Sequence, residues 1–187
     1  MKTKLVIRFC VLAAFVVAIV YTSHPAEPPK PTPTPTSPPV KGAPLFRTGE
    51  VQLDLNGTAT GHTFDDVKYG GGVGLNYYPW RNIGFGVDAQ TEDTASAFID
   101  RLGASAILRF PIESLRLAPE VRGGYQFDFE RGDGSPGRDG HELYTGAGAE
   151  FRLTKNWGIG AEVRHVWPTD DRTENYLMGI LRIRRNF

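Results

Sequence analysis

From about residue 45 to the C-terminus, apolar positions alternate with polar or glycine positions at a period of two. In the segment 157–167, Ile159 and Val163 stand on one face and Glu162 and Arg164 on the other. A period of two is that of a β-strand, and no segment keeps the spacing of an amphipathic helix over three turns. The chain is therefore predicted to be all-β, with eight strands at residues 50–56, 69–77, 83–92, 102–110, 115–129, 143–153, 157–167 and 175–187.

The lengths of the strands and of their connections favour a membrane-spanning barrel. Soluble strands usually have about 5 or 6 residues, whereas a tilted strand that crosses a bilayer needs about 9 to 11. Outer-membrane barrels alternate short periplasmic turns with long external loops. Here, tight turns at 79–82, 111–114 and 154–156 alternate with longer polar loops at 57–67, 93–101, 131–140 and 168–174. This predicts an eight-stranded antiparallel up-and-down transmembrane barrel at 45–187, with both chain ends in the periplasm.

Aromatic residues cluster near the ends of the predicted strands. Rings with one apolar and one wet side settle at lipid headgroups, so we predict two aromatic girdles. The first, near the short turns, contains Phe46, Tyr77, Tyr78, Trp80, Phe110, Phe151, Trp157 and Phe187, and the second contains Tyr69, Phe98, Phe127, Phe129, Trp167 and Tyr176.

The second face of the strands is charged. It carries Glu50, Asp54, Asp88, Glu120, Arg122, Glu150, Arg152, Glu162, Arg164, Arg182 and Arg184. Ionised groups are costly in an apolar core unless they are paired, but inside a narrow barrel they can pair across the lumen and bind water. An eight-stranded barrel holds only its own side chains or one small ligand. Because both signs of charge are present, we predict a plugged lumen and not an ion-selective pore.

Closure of the barrel requires the first and last strands to pair. These strands must run antiparallel and end together, which we expect near Phe46 and Phe187. Matching these ends while keeping the charged face inward predicts that Glu50 lies opposite Arg182 or Arg184.

The N-terminal region predicts export. Residues 1–23 have the basic start and short apolar core of a signal peptide, with cleavage expected after Ser23 or Ala26. The apolar run has about 12 residues, fewer than the roughly 20 of a membrane-spanning helix, although a retained anchor is the alternative. Residues 24–44 are rich in proline and are predicted to form an extended periplasmic linker.

Composition narrows the chemistry. Cys10 is the single cysteine of the chain, so neither a disulfide framework nor a thiolate metal site is possible. The formal net charge of zero gives no reason to expect a nucleic-acid partner.

Residues 45–187 resemble the small eight-stranded outer-membrane barrels of the OmpA, OmpX and opacity-protein type. The resemblance rests on the segments GGGVGLNYYPW, GAGAEFRLTKNWGIGAEVRHVW and LRIRRNF. It implies an outer-membrane location in a Gram-negative cell, contact with membrane lipid and lipopolysaccharide, and a role in surface structure or adhesion. Phe187, Ile183 and Leu181 match the C-terminal signal for the barrel assembly machinery, a further expected partner, but Arg185 stands where an apolar residue is expected.

Some barrels of this size modify lipid A, so we considered catalytic residues. Deacylase-type barrels place a serine two residues after a lipid-facing histidine, but Trp167 occupies that position after His165. His141 and Glu142 lie beside a loop without a nucleophile. We therefore predict no catalytic residue and no enzyme activity.

Metal and adhesion motifs are weak. His62, Asp65 and Asp66 fall in a predicted loop and are expected to be solvated. The loop 133–139 has some features of a calcium loop but lacks the required glycine and glutamate. The tripeptide at 131–133, Arg-Gly-Asp, is familiar from adhesion ligands. We predict no metal-ligating or cofactor-binding residue.

Two alternative functions remain. The first is a soluble periplasmic ligand-binding β-barrel, which would keep its apolar face inside and its charged face outside. The second, less favoured, is a lipid-A-modifying barrel enzyme. The face that lines the lumen distinguishes the membrane barrel from the soluble one.

Overall fold

The structure, a computed structural model, describes residues 44–61, 67–93, 97–132, 139–169 and 174–187. The predicted signal peptide, the linker up to residue 43, His62, Asp65, Asp66 and the loop residues 133–138 lie outside these ranges. Within the described ranges, no helix is long and apolar enough to cross a membrane.

Eight antiparallel strands form a closed barrel, as the sequence predicts. Each strand pairs with its neighbours in chain order, and the last pairs with the first. A 3-10 turn, Glu113–Leu115, lies between the fourth and fifth strands. The strands are β1 (Glu50–Gly61), β2 (Lys68–Tyr78), β3 (Ile83–Asp93), β4 (Ala97–Arg109), β5 (Leu117–Gly132), β6 (Asp139–Arg152), β7 (Trp157–Pro168) and β8 (Tyr176–Asn186).

The two ends of the barrel differ in their connections. The connections β2 to β3, β4 to β5 and β6 to β7 lie at one end, called here the short-turn end, and the opposite end is called the loop end. Two connections differ from the predicted lengths: three residues, 94–96, separate β3 from β4, whereas seven, 110–116, separate β4 from β5. β1 begins and β8 finishes at the short-turn end, since Gln52 pairs with Asn186. Both ends of the barrel domain therefore lie on the same side, as predicted.

The strands continue further toward the loop end than predicted. Residue 57 was expected to open a loop, yet β1 runs to Gly61 and pairs with β2 as far as Thr60. Thr58 and Thr60 are buried in the lumen. We predict a loop from residue 57 because polar residues usually face solvent. In this barrel, polar residues also line the lumen. The same error shortened the predicted β5, which reaches Gly132.

The two faces of the barrel are inverted relative to a soluble protein. Leu55 and Leu181 on the outside are 61% and 69% exposed, whereas Asp54 and Arg182 beside them are 2% and 4% exposed. An apolar exterior suits hydrocarbon, and closure leaves no unpaired strand edge there. The soluble ligand-binding alternative required the opposite arrangement, so the structure argues against it.

The aromatic girdles are confirmed for most of their members, and three predicted members are wrong. Phe46, Tyr78 and Tyr176 are buried inside the barrel. Neighbouring residues of a strand point to opposite faces, so Tyr78 must face inward once Tyr77 faces outward. Of the predicted members, those with exposed rings are Tyr77, Trp80, Phe110, Phe151, Trp157 and Phe187 at the short-turn end and Tyr69, Phe98, Phe127 and Phe129 at the loop end, while Trp167 is half-buried.

The predicted closing register is also wrong. β1 and β8 do pair with their charged faces inward, but Asp54 and not Glu50 lies opposite Arg184. Asn56 lies opposite Arg182. The prediction aligned Phe46 with the C-terminus, whereas Phe46 precedes the strand and folds into the lumen. The assignment of the charged face to the lumen is therefore confirmed, whereas the observed alignment of β1 with β8 is displaced along the strands from the predicted one.

Substitution of Ala161 by arginine tests the assignment of the outer face. Ala161 lies near the middle of β7 and points outward. Ala161→Arg should lower the free energy of unfolding by about 2–4 kcal/mol, the cost of arginine near a bilayer midplane. Urea titration of the barrel refolded into phospholipid vesicles measures this change. Ser114→Arg, at an exposed short turn, is the control and should change it by no more than about 0.5 kcal/mol. Equal effects would contradict the assignment.

Candidate functional site in the barrel lumen

The lumen holds a concentration of buried charge. Among the described residues it holds seven buried arginines and eight buried carboxylates. All eleven charged residues predicted for the inner face are buried, so that prediction is confirmed. The sequence analysis missed Glu92, Arg101, Arg109 and Glu142, although all four have the inward parity of their strands.

The layer nearest the short-turn end is centred on Glu50. One carboxylate oxygen, Oε1, lies 3.0 Å from Nη1 of Arg109 and also accepts from Nη2 of Arg152. Arg152 in turn donates from Nε to Glu150. The amide of Gln52 donates to Glu50 over 2.7 Å and to Glu150 over 3.0 Å. This cluster replaces the predicted contacts of Glu50 with Arg182 and Arg184.

The segment before β1 closes this end of the lumen. The ring of Phe46 lies 4.6 Å from the guanidinium carbon of Arg152 and 5.2 Å from that of Arg109. Arg152 donates to the carbonyl of Leu45 over 3.0 Å. Gly49 has a φ of +74°, a conformation glycine adopts without strain, where the chain turns into β1. The Phe46 ring thus covers this end of the lumen and is held there by cation–π contacts with Arg109 and Arg152.

The middle layer is a network of arginines that bridge carboxylates on distant strands. Arg184 lies 3.0 Å from Asp54, 3.0 Å from Glu120 and 3.1 Å from Glu150. Arg182 contacts Glu162 through Nη2 and stands 3.6 Å from both Asp54 and Glu120. Each arginine thus faces several carboxylates.

The middle layer extends to the other side of the barrel. Arg164 lies 2.5 Å from Glu162 and 3.3 Å from Asp88. Its guanidinium carbon is also 4.3 Å from the centre of the Tyr144 ring. Arg122 lies 3.5 Å from Glu162. The pairing therefore reaches from β3 to β8 across the lumen.

In the layer nearest the loop end, Arg101 faces three carboxylates. Arg101 lies 2.7 Å from Glu92, 3.5 Å from Asp128 and 4.0 Å from Glu142. Glu142 also accepts hydrogen bonds from Gln126 over 2.5 Å and from the Tyr176 hydroxyl over 2.7 Å. The inward position of Tyr176 is explained by this bond, because a buried tyrosine hydroxyl usually finds a partner.

The histidines considered from the sequence do not meet in one site. His165 points outward and its ring packs edge-on against Trp167, with the centroids 4.4 Å apart. His141 also lies outside, with Nδ1 2.5 Å from the Tyr125 hydroxyl, whereas Glu142 next to it lies in the lumen. Across the described ranges, no group of three histidine, cysteine, aspartate or glutamate residues is arranged to hold a metal ion.

A double-mutant cycle tests the corrected partners of Glu50. Glu50→Ala should lower the free energy of unfolding by about 3 kcal/mol, because it leaves two buried arginines short of a carboxylate. Combined with Arg152→Ala, it should show a coupling of about 0.5–3 kcal/mol in urea titrations. The matched control pairs Glu50→Ala with Arg101→Ala, at the far end of the lumen, and should be additive. Additivity in the first cycle would contradict the observed pairing.

No protein-family model matches the chain, and no curated protein sequence matches it. Several solved structures do. The N-terminal barrel domain of Pseudomonas aeruginosa OprF is 17% identical and has a TM-score of 0.61, with 75% of this chain and 98% of that one covered. Neisserial surface protein A is 17% identical, with a TM-score of 0.55 and coverages of 73% and 94%. Ail, the attachment invasion locus protein of Yersinia pestis, is 13% identical, with a TM-score of 0.51 and coverages of 75% and 100%. The chain has the fold of the small eight-stranded outer-membrane β-barrels.

Proposed function

We propose that this protein is a closed, non-enzymatic barrel of the outer membrane that serves surface structure or adhesion through its external loops. The observation that carries the proposal is the lumen, where arginines and carboxylates pair in three layers and Phe46 covers one end. A barrel that transports ions or solutes needs an open path, and here the axis is occupied by paired side chains.

The exterior supports the membrane location. Apolar side chains cover the outside of all eight strands between two aromatic girdles. Outer-membrane lipid and lipopolysaccharide are therefore the proposed surroundings, with the short turns in the periplasm. The C-terminal residue Phe187 is exposed at the end of β8, which suits the proposed recognition by the barrel assembly machinery.

The surroundings of the outward histidines support a non-enzymatic role. Hydrolysis of a lipid ester needs a nucleophile, a base and an orienting group on one face. His165 has Thr145 and Leu177 as its cross-strand neighbours, and its ring packs on Trp167. Its ring makes no hydrogen bond to a described side chain. We therefore propose no catalytic residues for the lipid-A-modifying alternative.

A role in surface contact is the finer part of the proposal. The connections β1 to β2, β3 to β4, β5 to β6 and β7 to β8 all lie at the loop end, which faces outward if the short-turn end is periplasmic. A solved structure with this fold belongs to an attachment invasion locus protein. We extend a contact role to this chain because the connections at the loop end would be exposed to the outside.

Conductance measurements test the closed lumen. The purified barrel should insert into planar bilayers without producing discrete current steps, because an ion would have to separate buried charge pairs to pass. A 16-stranded porin, whose channel is aqueous, is the positive control. Heat-dependent gel mobility of the same preparation verifies folding. Regular current steps from the folded barrel would overturn the closed-lumen proposal.

Protease treatment of intact cells tests location and topology. The connection between β5 and β6, residues 133–138, should be cleaved, while the proline-rich linker at 24–44 should be protected until the outer membrane is permeabilised. Epitope tags placed in each segment report the two cleavages separately. Recovery of the protein in the soluble periplasmic fraction, or cleavage of the linker first, would contradict the proposal.

A further inference from the structure

Arg185 is the outward residue that the apolar pattern of β8 does not explain. It follows Leu181 and Ile183 on the lipid-facing side of the strand, two residues before the C-terminus. Its cross-strand neighbours are Leu53 of β1 and Trp157 of β7, both outward residues. A cation on this face is costly within hydrocarbon but is accommodated where the strand reaches the headgroups.

Two aromatic rings flank the guanidinium of Arg185. Its central carbon lies 5.0 Å from the centre of the Trp157 ring and 5.7 Å from that of the Phe187 ring. Both rings belong to the girdle at the short-turn end and are 44% and 40% exposed. Aromatic girdles lie at the level of the lipid headgroups, so the Arg185 guanidinium lies at that level as well.

Within the described part of the chain, the N–H donors of Arg185 make no hydrogen bond. Two other arginines at the short-turn end do have acceptors: Arg81 pairs with Glu113 over 2.7 Å, and Arg116 donates to the carbonyl of Leu153 over 2.5 Å. For Arg185, no carboxylate or carbonyl among the described residues accepts a hydrogen bond. A guanidinium has five N–H donors in a planar fork that matches the oxygens of a phosphate.

We propose that Arg185, held between Trp157 and Phe187, binds the headgroup phosphate of an anionic glycerophospholipid. Lys155, exposed in the turn that leads to Trp157, adds a second positive charge nearby. A zwitterionic headgroup brings its own cation, which competes with Arg185 for the phosphate, whereas a net-negative headgroup does not. This proposed site depends on the proposed membrane location, and it specifies the class of lipid that binds at the short-turn end.

Quenching of Trp157 fluorescence by lipid provides the test. Trp80→Phe and Trp167→Phe leave Trp157 as the single tryptophan. This protein is reconstituted in phosphatidylcholine vesicles that contain brominated phosphatidylglycerol or brominated phosphatidylcholine. We expect the phosphatidylglycerol to be preferred at Trp157 by about fivefold, the ratio that one basic residue near an anionic headgroup supplies. Arg185→Gln and Arg185→Leu should abolish the preference. Arg185→Leu restores the apolar residue expected in the strand and should fold at least as well.

Arg116→Gln is the matched control, since it removes an arginine from the same end of the barrel and should leave the preference unchanged. Equal quenching by the two lipids overturns the site. An equal loss in Arg116→Gln also overturns it, since the preference would then reflect diffuse surface charge. Abolition by inorganic phosphate, but not by sodium chloride of the same ionic strength, would show a free-anion site instead. Gel mobility of the vesicle-bound protein separates the two proposals: failure to insert overturns the membrane location, whereas insertion with equal quenching overturns the lipid site alone.

Discussion

The pairing of β1 with β8 is the constraint on which the rest of the molecule depends. In hydrocarbon, each unpaired backbone N–H or C=O costs several kcal/mol, so a sheet can cross a membrane only when it has no edge. Closing eight strands turns one face of every strand toward a narrow axis. The outer face must then be largely apolar, and the ion pairs between strands collect in the lumen.

The ion pairs of the lumen connect strands that the backbone ladder does not. Hydrogen bonds between strands join only neighbours around the wall. Arg184 on β8 reaches Glu120 on β5, and Arg164 on β7 reaches Asp88 on β3. These contacts brace the barrel across its diameter. Removal of one charge therefore leaves a buried counter-charge behind, which costs more than the contact itself contributed.

The fold can be predicted from the alternation of apolar and polar residues, but the pairing of charged side chains inside the lumen cannot. Alternation alone identified the strands and the inward position of all the charged residues it named, because a side chain's face depends only on its parity. The same alternation also predicts that Arg109 points into the lumen. It allows only one of the neighbours Tyr77 and Tyr78 to face outward. The partners of Glu50 depend on stagger around the closed wall and on Phe46 leaving the strand, and neither leaves a periodic signal in the sequence.

The position of Phe46 has a kinetic consequence. Its ring rests on arginines from β4 and β6, so the binding site for this segment does not exist until those strands have been assembled. The pairing of β1 with β8 likewise joins residues from opposite ends of the domain, the kind of long-range contact that slows folding. The segment before β1 is synthesised ahead of both these strands and can therefore reach its native position only after they have assembled.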